Sequence, residues 1–208
     1  MYLKNIDPKK TALLIIDMQN DFLKPGAPVF SQMGYDMCDK LSEVADIFRQ
    51  KGSLIIYSQN VIRPDLLDLG KSGEFSECLK QGKCGIDGTE GVEIYEKVSP
   101  KKGDVVLKKS KYSFFYGTQL DNILRTAGIT TVVITGVCTD CCCFSTARDA
   151  ALYNYDVAFI SDLTGTVDYK DIGYGDFTAE QVQACYLTTI ALTTGDVMTA
   201  DDLLSRLL

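Results

Sequence analysis

Three residue types that can act together on a carbonyl carbon are scattered through this chain: an acid at Asp17, a cation at Lys109 and a thiol at Cys142. Each follows a short apolar run, at residues 11–16, 104–107 and 131–135. Such runs read as β-strands. In an open parallel sheet the carboxyl ends of the strands face one crevice, where ligands bind. The three side chains could therefore meet there. A thiolate attacks a carbonyl, an acid carries its proton, and a cation steadies the charges. The chain has no histidine, so proton transfer must fall to a carboxylate or a lysine.

The thiol lies at a strand-to-helix junction, Thr135-Gly-Val-Cys-Thr-Asp-Cys-Cys-Cys143. Thr139 or Asp140 can cap the helix through a side-chain oxygen. Cys142 then falls in the first turn, where the helix dipole and free N–H groups favour negative charge and lower a thiol pKa. The same N–H groups could hold an oxyanion. Cys141, Cys142 and Cys143 point about 100° apart around a helix. Only one can face the crevice, and the local pattern does not choose it. After Asp17, the run Met-Gln-Asn-Asp-Phe puts Gln19 and Phe22 within reach of a pocket. Lys109 beside a buried Asp17 would hold that acid charged and favour the thiolate.

The elements that must position these residues alternate between strand and helix patterns, which predicts an α/β fold with a mostly parallel sheet. Residues 35–51 read as a helix, with Met37, Leu41, Val44, Ala45 and Phe48 on one face and Gly52 as its stop. Residues 53–57 read as strand 2 and 104–107 as strand 3. Residues 118–127 read as a helix capped by Thr118, and 131–135 as strand 4. A helix from Thr139 or Asp140 to about Tyr153, strand 5 at 156–160 and a last long helix at 178–193 complete the pattern. Residues 60–103 are glycine-rich and weakly periodic, with short helices expected near 64–69 and 91–97. A stretch so long and irregular is often a lid or binding loop. No repeat or linker divides residues 1–208, so one domain is expected.

Composition narrows the function classes. A formal charge of −7 over 208 residues, with no basic tract, argues against nucleic acid or an anionic membrane surface as partner. No apolar stretch is long enough to span a bilayer. The N-terminal Met1-Tyr-Leu-Lys-Asn-Ile-Asp has no secretory pattern, so a cytoplasmic, reducing setting is expected. Of the eight cysteines, Cys38, Cys78, Cys84 and Cys185 are scattered and read as small buried or half-buried residues. Cys138-x-x-Cys141 has the spacing of half a zinc site, but no second such pair exists. Neither a metal nor a cofactor is expected. The same pair could serve as a redox couple at a strand-helix junction.

Four stretches together resemble the isochorismatase-like superfamily, in its cysteine-hydrolase branch. They are Thr11-Ala-Leu-Leu-Ile-Ile-Asp-Met-Gln-Asn-Asp-Phe22, Gly88-Thr-Glu-Gly91, Lys109-Ser-Lys-Tyr-Ser-Phe-Phe115 and Gly136-Val-Cys-Thr-Asp-Cys-Cys-Cys-Phe-Ser-Thr-Ala-Arg-Asp-Ala150. The resemblance implies a three-layer α-β-α fold around a doubly wound, mostly parallel sheet of about five to six strands. It implies Cys142 as nucleophile, Lys109 as the lysine and Asp17 as the acid. It also implies a cis peptide before Cys138, with the N–H groups of Cys138 and Cys142 forming an oxyanion hole. Gln19, Phe22, Asn60 and Tyr112 would shape the substrate pocket. The activity implied is hydrolysis of a C–N bond in a small amide or ureide through a thioester, by a homo-oligomer (dimer or tetramer). The nicotinamidases of this superfamily bind a metal through histidines after strand 2, and residues 58–65 here contain none. Enol-ether-cleaving isochorismatases often lack the cysteine, so Cys142 favours amide chemistry. A metal-free enol-ether hydrolase and a non-enzymatic redox thiol protein are the rival readings.

Overall fold

In a computed structural model, which describes residues 3–208 apart from the side chain of Ser72, every predicted strand forms. Met1 and Tyr2, the start of the stretch read for a secretory pattern, lie outside the described residues. The strands are β1 (Thr11–Ile16), β2 (Leu54–Asn60), β3 (Val105–Lys109), β4 (Thr131–Val137), β5 (Asp156–Gly165) and β6 (Asp196–Met198). They make one six-stranded sheet in the order β3-β2-β1-β4-β5-β6, and every pairing is parallel. The order reverses between β1 and β4. That reversal opens a crevice at the carboxyl ends of these two central strands.

The helices are α1 (Asn20–Leu23), α2 (Gln32–Asp36), α3 (Cys38–Gln50), α4 (Gly70–Gly73), α5 (Glu77–Lys80), α6 (Leu120–Thr126), α7 (Phe144–Leu152), α8 (Ala179–Thr193) and α9 (Ala200–Arg206). Alternation along β1 assigns them to two layers. Leu13 and Ile15 pack with Leu41, Val44 and Phe48 of α3 and Leu203 of α9. Ala12, Leu14 and Ile16 pack with Leu120 and Leu124 of α6, Ala147 and Ala150 of α7 and Ile190 of α8. All six residues of β1 are buried, as a central strand covered on both faces requires.

Four differences from the sequence pattern bear on the site. First, β2, β3 and β4 run past their apolar residues, because polar residues there still pair in the ladder: Ser58 with Leu107, Asn60 with Lys109. Lys109 is thus the last residue of β3, not the residue beyond it. Second, the helix read at 35–51 is two helices. Ser31 caps α2 by accepting from Gly34 N–H at 3.1 Å. Gly34 sits where a Cβ would lie 2.7 Å from Val137 Cγ1, so α2 packs directly on the end of β4. Third, Thr118 is not the cap residue of α6, although its Oγ1 accepts from Leu120 N–H at 3.1 Å. Fourth, no helix forms at 64–69, where Leu66 takes a φ of 58°, outside the helical region.

The 60–103 excursion instead folds around a small cluster of Ile62, Leu69, Leu79 and Cys84. In place of one short helix at 91–97, single helical turns stand at its two ends, Glu90–Val92 and Glu96–Val98. Cys78 and Cys84 are half-buried and buried, as read from the sequence, and are in addition joined as a disulfide. Neither β6 nor α9 was legible as a periodic pattern, being only three and seven residues long.

Candidate active site

The crevice receives Asp17 directly from the end of β1. Its backbone turns out of the strand with φ of 50°, a conformation that aspartate tolerates better than most residues. Beside it, Gly136 of β4 approaches so closely that a Cβ there would lie 2.0 Å from the Ile16 carbonyl oxygen. Only glycine allows β4 to close on β1 at this level. Ser58 of β2 fixes the carboxylate: its hydroxyl donates to Asp17 Oδ1 at 2.5 Å and accepts the Asp17 N–H at 3.1 Å. Sequence reading missed Ser58, because β2 was taken to end one residue earlier.

Lys109 reaches across from β3, and its side chain is wholly buried. The ammonium lies 2.7 Å from Asp17 Oδ2, 3.3 Å from Cys142 Sγ and 3.1 Å from the Lys111 carbonyl oxygen. An ammonium has three protons; here Cys142 and Lys111 accept two of them and Asp17 pairs with the charge. Burial opposes its charge, but Asp17 and Cys142 together outweigh burial and raise the lysine pKa. Lys109 is therefore held as a cation.

Cys142 comes from a π-helical turn, Thr139–Cys143, that leads into α7. The N–H groups of Cys141 and Cys143 both donate to the Cys138 carbonyl at 3.1 Å. Those of Cys138 and Cys142 donate to no group outside this turn among the described residues. The residue that caps this turn is Cys138, not Thr139 or Asp140. Thr139 is buried with its hydroxyl unpaired. The Asp140 carboxylate instead accepts from the hydroxyls of Thr166 and Tyr169. The Val137–Cys138 peptide is cis. Thr146 locks the start of α7 by donating to the Cys142 carbonyl at 2.7 Å and accepting the Phe114 N–H at 3.0 Å.

The turn also separates the three consecutive thiols. Cys143 is fully buried on the sheet side, Cys141 faces the cavity, and Cys142 alone contacts Lys109. Burial pushes the Cys142 thiol well above its ordinary pKa; Lys109 opposes this and Asp17 adds to it. The dipole argument made from sequence pointed the other way. Desolvation wins because Cys142 is buried, with 7% of the residue exposed, and the nearest carboxylate is already charge-paired. The resting group is a protonated thiol beside an Asp–Lys ion pair. Cys141 is likewise pushed up to about 12, by burial and by Asp140.

A cavity of about 360 Å³ opens over this cluster. Asp17, Cys138, Cys141 and Cys142 form its floor. Phe22, Asn60 and Tyr112, three of the residues read from sequence as pocket candidates, line it. Gln19 does not. It is fully buried, donates to the carbonyls of Asn60 at 3.1 Å and Val92 at 2.9 Å, and accepts the Asn60 N–H at 2.8 Å. Its role is to hold the end of β2 and so to place Asn60. Val29, Leu79, Val167 and Tyr169 also line the cavity and were missed. They come from segments without periodicity; an aromatic-rich run between β5 and α8 was the one available signal for Tyr169. Among the described residues no group of three His, Cys, Asp or Glu side chains is placed to hold a metal ion. No described helix is long and apolar enough to cross a membrane.

Comparison with known proteins follows the same lines. Residues 11–202 match the isochorismatase domain. A ureidoacrylate amidohydrolase, RutB, of Caulobacter vibrioides is 33% identical over 177 residues, which span 76% of this chain and 78% of that protein. The structure of a cysteine hydrolase from Pseudomonas syringae pv. phaseolicola superposes with a TM-score of 0.92 at 31% identity, covering 97% of this chain and 93% of that one. An N-carbamoylsarcosine amidase from Thermoplasma acidophilum superposes with a TM-score of 0.72 at 30% identity, covering 92% of this chain and 97% of that one.

Proposed function

This chain belongs to the isochorismatase family, and from that premise we propose that it hydrolyses a C–N bond of a small amide or ureide, with Cys142 as nucleophile, Asp17 as proton carrier and Lys109 as the fixed cation. One observation carries the reading. A buried thiol, a buried ammonium and a buried carboxylate stand in contact beneath a cavity of substrate size, the ammonium 3.3 Å from the sulfur and 2.7 Å from the carboxylate.

The steps follow from the geometry. Asp17 takes the Cys142 proton as sulfur attacks the carbonyl carbon, so the thiol never needs to ionise alone. A C–S bond forms and the carbonyl electron pair moves to oxygen. The N–H groups of Cys138 and Cys142 receive that oxyanion, and each such donor is worth roughly 3–4 kcal/mol of barrier. Lys109 offsets the charge passing between sulfur and carboxylate. As the intermediate collapses, the C–N bond breaks and the nitrogen takes the proton from Asp17, leaving as ammonia or an amine. Water then attacks the thioester and gives a proton to Asp17. The C–S bond breaks, and sulfur recovers that proton.

The wild type should release ammonia from members of a panel of primary amides and ureides, and intact-protein mass should reveal an acyl adduct on Cys142. Cys142→Ala should do neither. Turnover of isochorismate that survives this substitution would favour the enol-ether reading instead. Reversible Cys138–Cys141 oxidation without any turnover would favour the redox reading. A homo-oligomer is part of the proposal, supported by large apolar side chains left in water at Leu152 and Leu192, and light scattering checks it.

A further inference from the structure

Resting on that reading, we infer that the substrate is an uncharged amide or ureide with a short apolar arm, and that a carboxylate-bearing one is rejected. Two of the relatives are named for substrates that carry a carboxylate, ureidoacrylate and N-carbamoylsarcosine. The cavity of this chain has no counterpart for that group. Among the described residues that line it there is no lysine, arginine or histidine. Lys109 is buried within the floor, off the lining surface, where Cys142 and Lys111 accept two of its protons and Asp17 pairs with its charge.

Most cations of the segments around the cavity are engaged, Lys83 beside Cys84 being the exception among the described residues. Lys111 Nζ is held by the carbonyls of Asp68, Leu69 and Ser110. Arg63, Lys71, Lys80 and Lys108 each pair with an acid: Asp65, Glu74, Glu77 and Asp87. Asp140, which lines a neighbouring pocket together with Tyr169, is held only by hydroxyl and thiol donors from Thr166, Tyr169 and Cys141, with no cation against it among the described residues. A substrate carboxylate would meet an apolar wall of Phe22, Val29, Leu79 and Val167 with no cation to receive it among the described lining residues. Removing a carboxylate from water into such surroundings without a partner is strongly unfavourable.

The groups that do face the cavity unengaged are neutral. Asn60 is about nine-tenths buried, its backbone is held by Gln19, and its carboxamide has no partner among the described residues. It offers both a donor and an acceptor, as an amide or a urea group requires. The phenol of Tyr112 is a second neutral partner. At about 360 Å³ the cavity is near the lower end of the usual range of roughly 300–1,000 Å³ for ligand sites, which limits the arm to a few carbons.

The test compares isosteric pairs by ammonia release: 4-methylpentanamide against succinamate, and isopentylurea against 3-ureidopropionate. The neutral member of each active pair should have a kcat/KM about 100-fold higher or more. Equal or better turnover of either carboxylate overturns the inference, including a cation supplied by a second copy of the chain. A second measurement does not depend on hydrolysis. Alkylation of Cys142, followed by peptide mass, is compared for iodoacetamide and iodoacetate, each normalised to glutathione. Neutral reagent should be preferred by about tenfold or more, the scale of leaving a charge without a partner. Normalised parity, or preference for iodoacetate, overturns the inference. If no pair releases ammonia, the proposed activity fails by itself, and the alkylation ratio still decides the charge preference of the cavity.

Discussion

The floor of the cavity and its outer wall are held by different means. On the floor, Asp17, Lys109 and Cys142 sit at or just beyond the ends of three parallel strands and are bonded to one another and to Ser58. On the wall, Phe22, Val29, Leu79, Val167 and Tyr169 come from single helical turns and connecting segments and meet the cavity chiefly through packing, Tyr169 also donating to Asp140. The floor is a closed polar network whose members depend on each other. The wall is a set of separate contacts. Substitutions on the floor should therefore have large, coupled effects, whereas those on the wall should have smaller and independent ones.

Removing the sulfur is the most severe way to probe the floor. Cys142→Ala should lower kcat/KM for the best neutral amide by roughly 10⁴-fold or more, the scale seen when a nucleophile is deleted from a catalytic unit. Its unfolding midpoint should change little, because the Asp17–Lys109 pair remains. Steady-state ammonia release and a thermal melt measure the two halves. A variant that keeps a tenth of the activity would remove Cys142 from the mechanism.

The ion pair comes next. Lys109→Met leaves Asp17 buried and unpaired, and Asp17→Asn leaves the ammonium so; asparagine suits the left-handed backbone there. Each should cost about 3–5 kcal/mol of stability, the usual consequence of breaking a buried pair from one side. The double variant should cost less than the sum by about 1 kcal/mol or more. Urea unfolding of the four proteins gives the coupling. Additive losses below about 1 kcal/mol each would show that the floor is not a closed network.

The same division explains what could be read from the sequence. The floor was legible because apolar runs announce strands, and parallel strands send whatever follows them to one edge. Asp17 and Cys142 emerged that way, and Lys109 nearly so. Ser58 and the true ends of β2 and β3 did not, since polar strand residues look like loop until their ladder partners are known. Choosing Cys142 among three adjacent thiols needed the resemblance, because the π turn that separates them leaves no trace in apolar spacing. Gln19 was misread for a related reason. A glutamine near a strand end looks available, and only the fold shows its amide consumed by Asn60 and Val92. Most of the wall was illegible, since segments such as 60–103 and 166–178 owe their shape to contacts between distant residues.

Asn60 lies where floor meets wall and tests how sharp the boundary is. Asn60→Ala removes a neutral hydrogen-bonding group from the cavity and leaves the Gln19 clasp on its backbone intact. The expected loss is about 1–3 kcal/mol of transition-state stabilisation, or roughly ten- to hundredfold in kcat/KM. Stability should fall by less than about 1 kcal/mol, since no internal bond of that side chain is lost. If the melt shifts more than the rate, Asn60 belongs to the floor's architecture and not to substrate recognition.

The smallest effect concerns the sulfur that faces away from the cavity. Cys143 is fully buried, and burial pushes its thiol well above the ordinary value, with Cys142 and Asp17 adding and Lys109 opposing. In the unfolded chain a thiol ionises near about 8.5. Above that pH the unfolded state has released a proton that the folded state keeps. Stability must then fall as pH rises, by up to about 1.4 kcal/mol per pH unit for each such thiol. Cys142, raised in the same direction, contributes a second such slope. Cys143→Ala should lose a little stability at neutral pH and then decline less steeply between about pH 8.5 and 10, by up to one thiol's share. Urea unfolding across that range, with the redox state of the Cys78–Cys84 disulfide held constant, measures the difference. An unchanged slope would mean that the sheet side of the π turn is wet enough to stabilise a thiolate, and the contrast between a dry floor and an open wall would no longer hold.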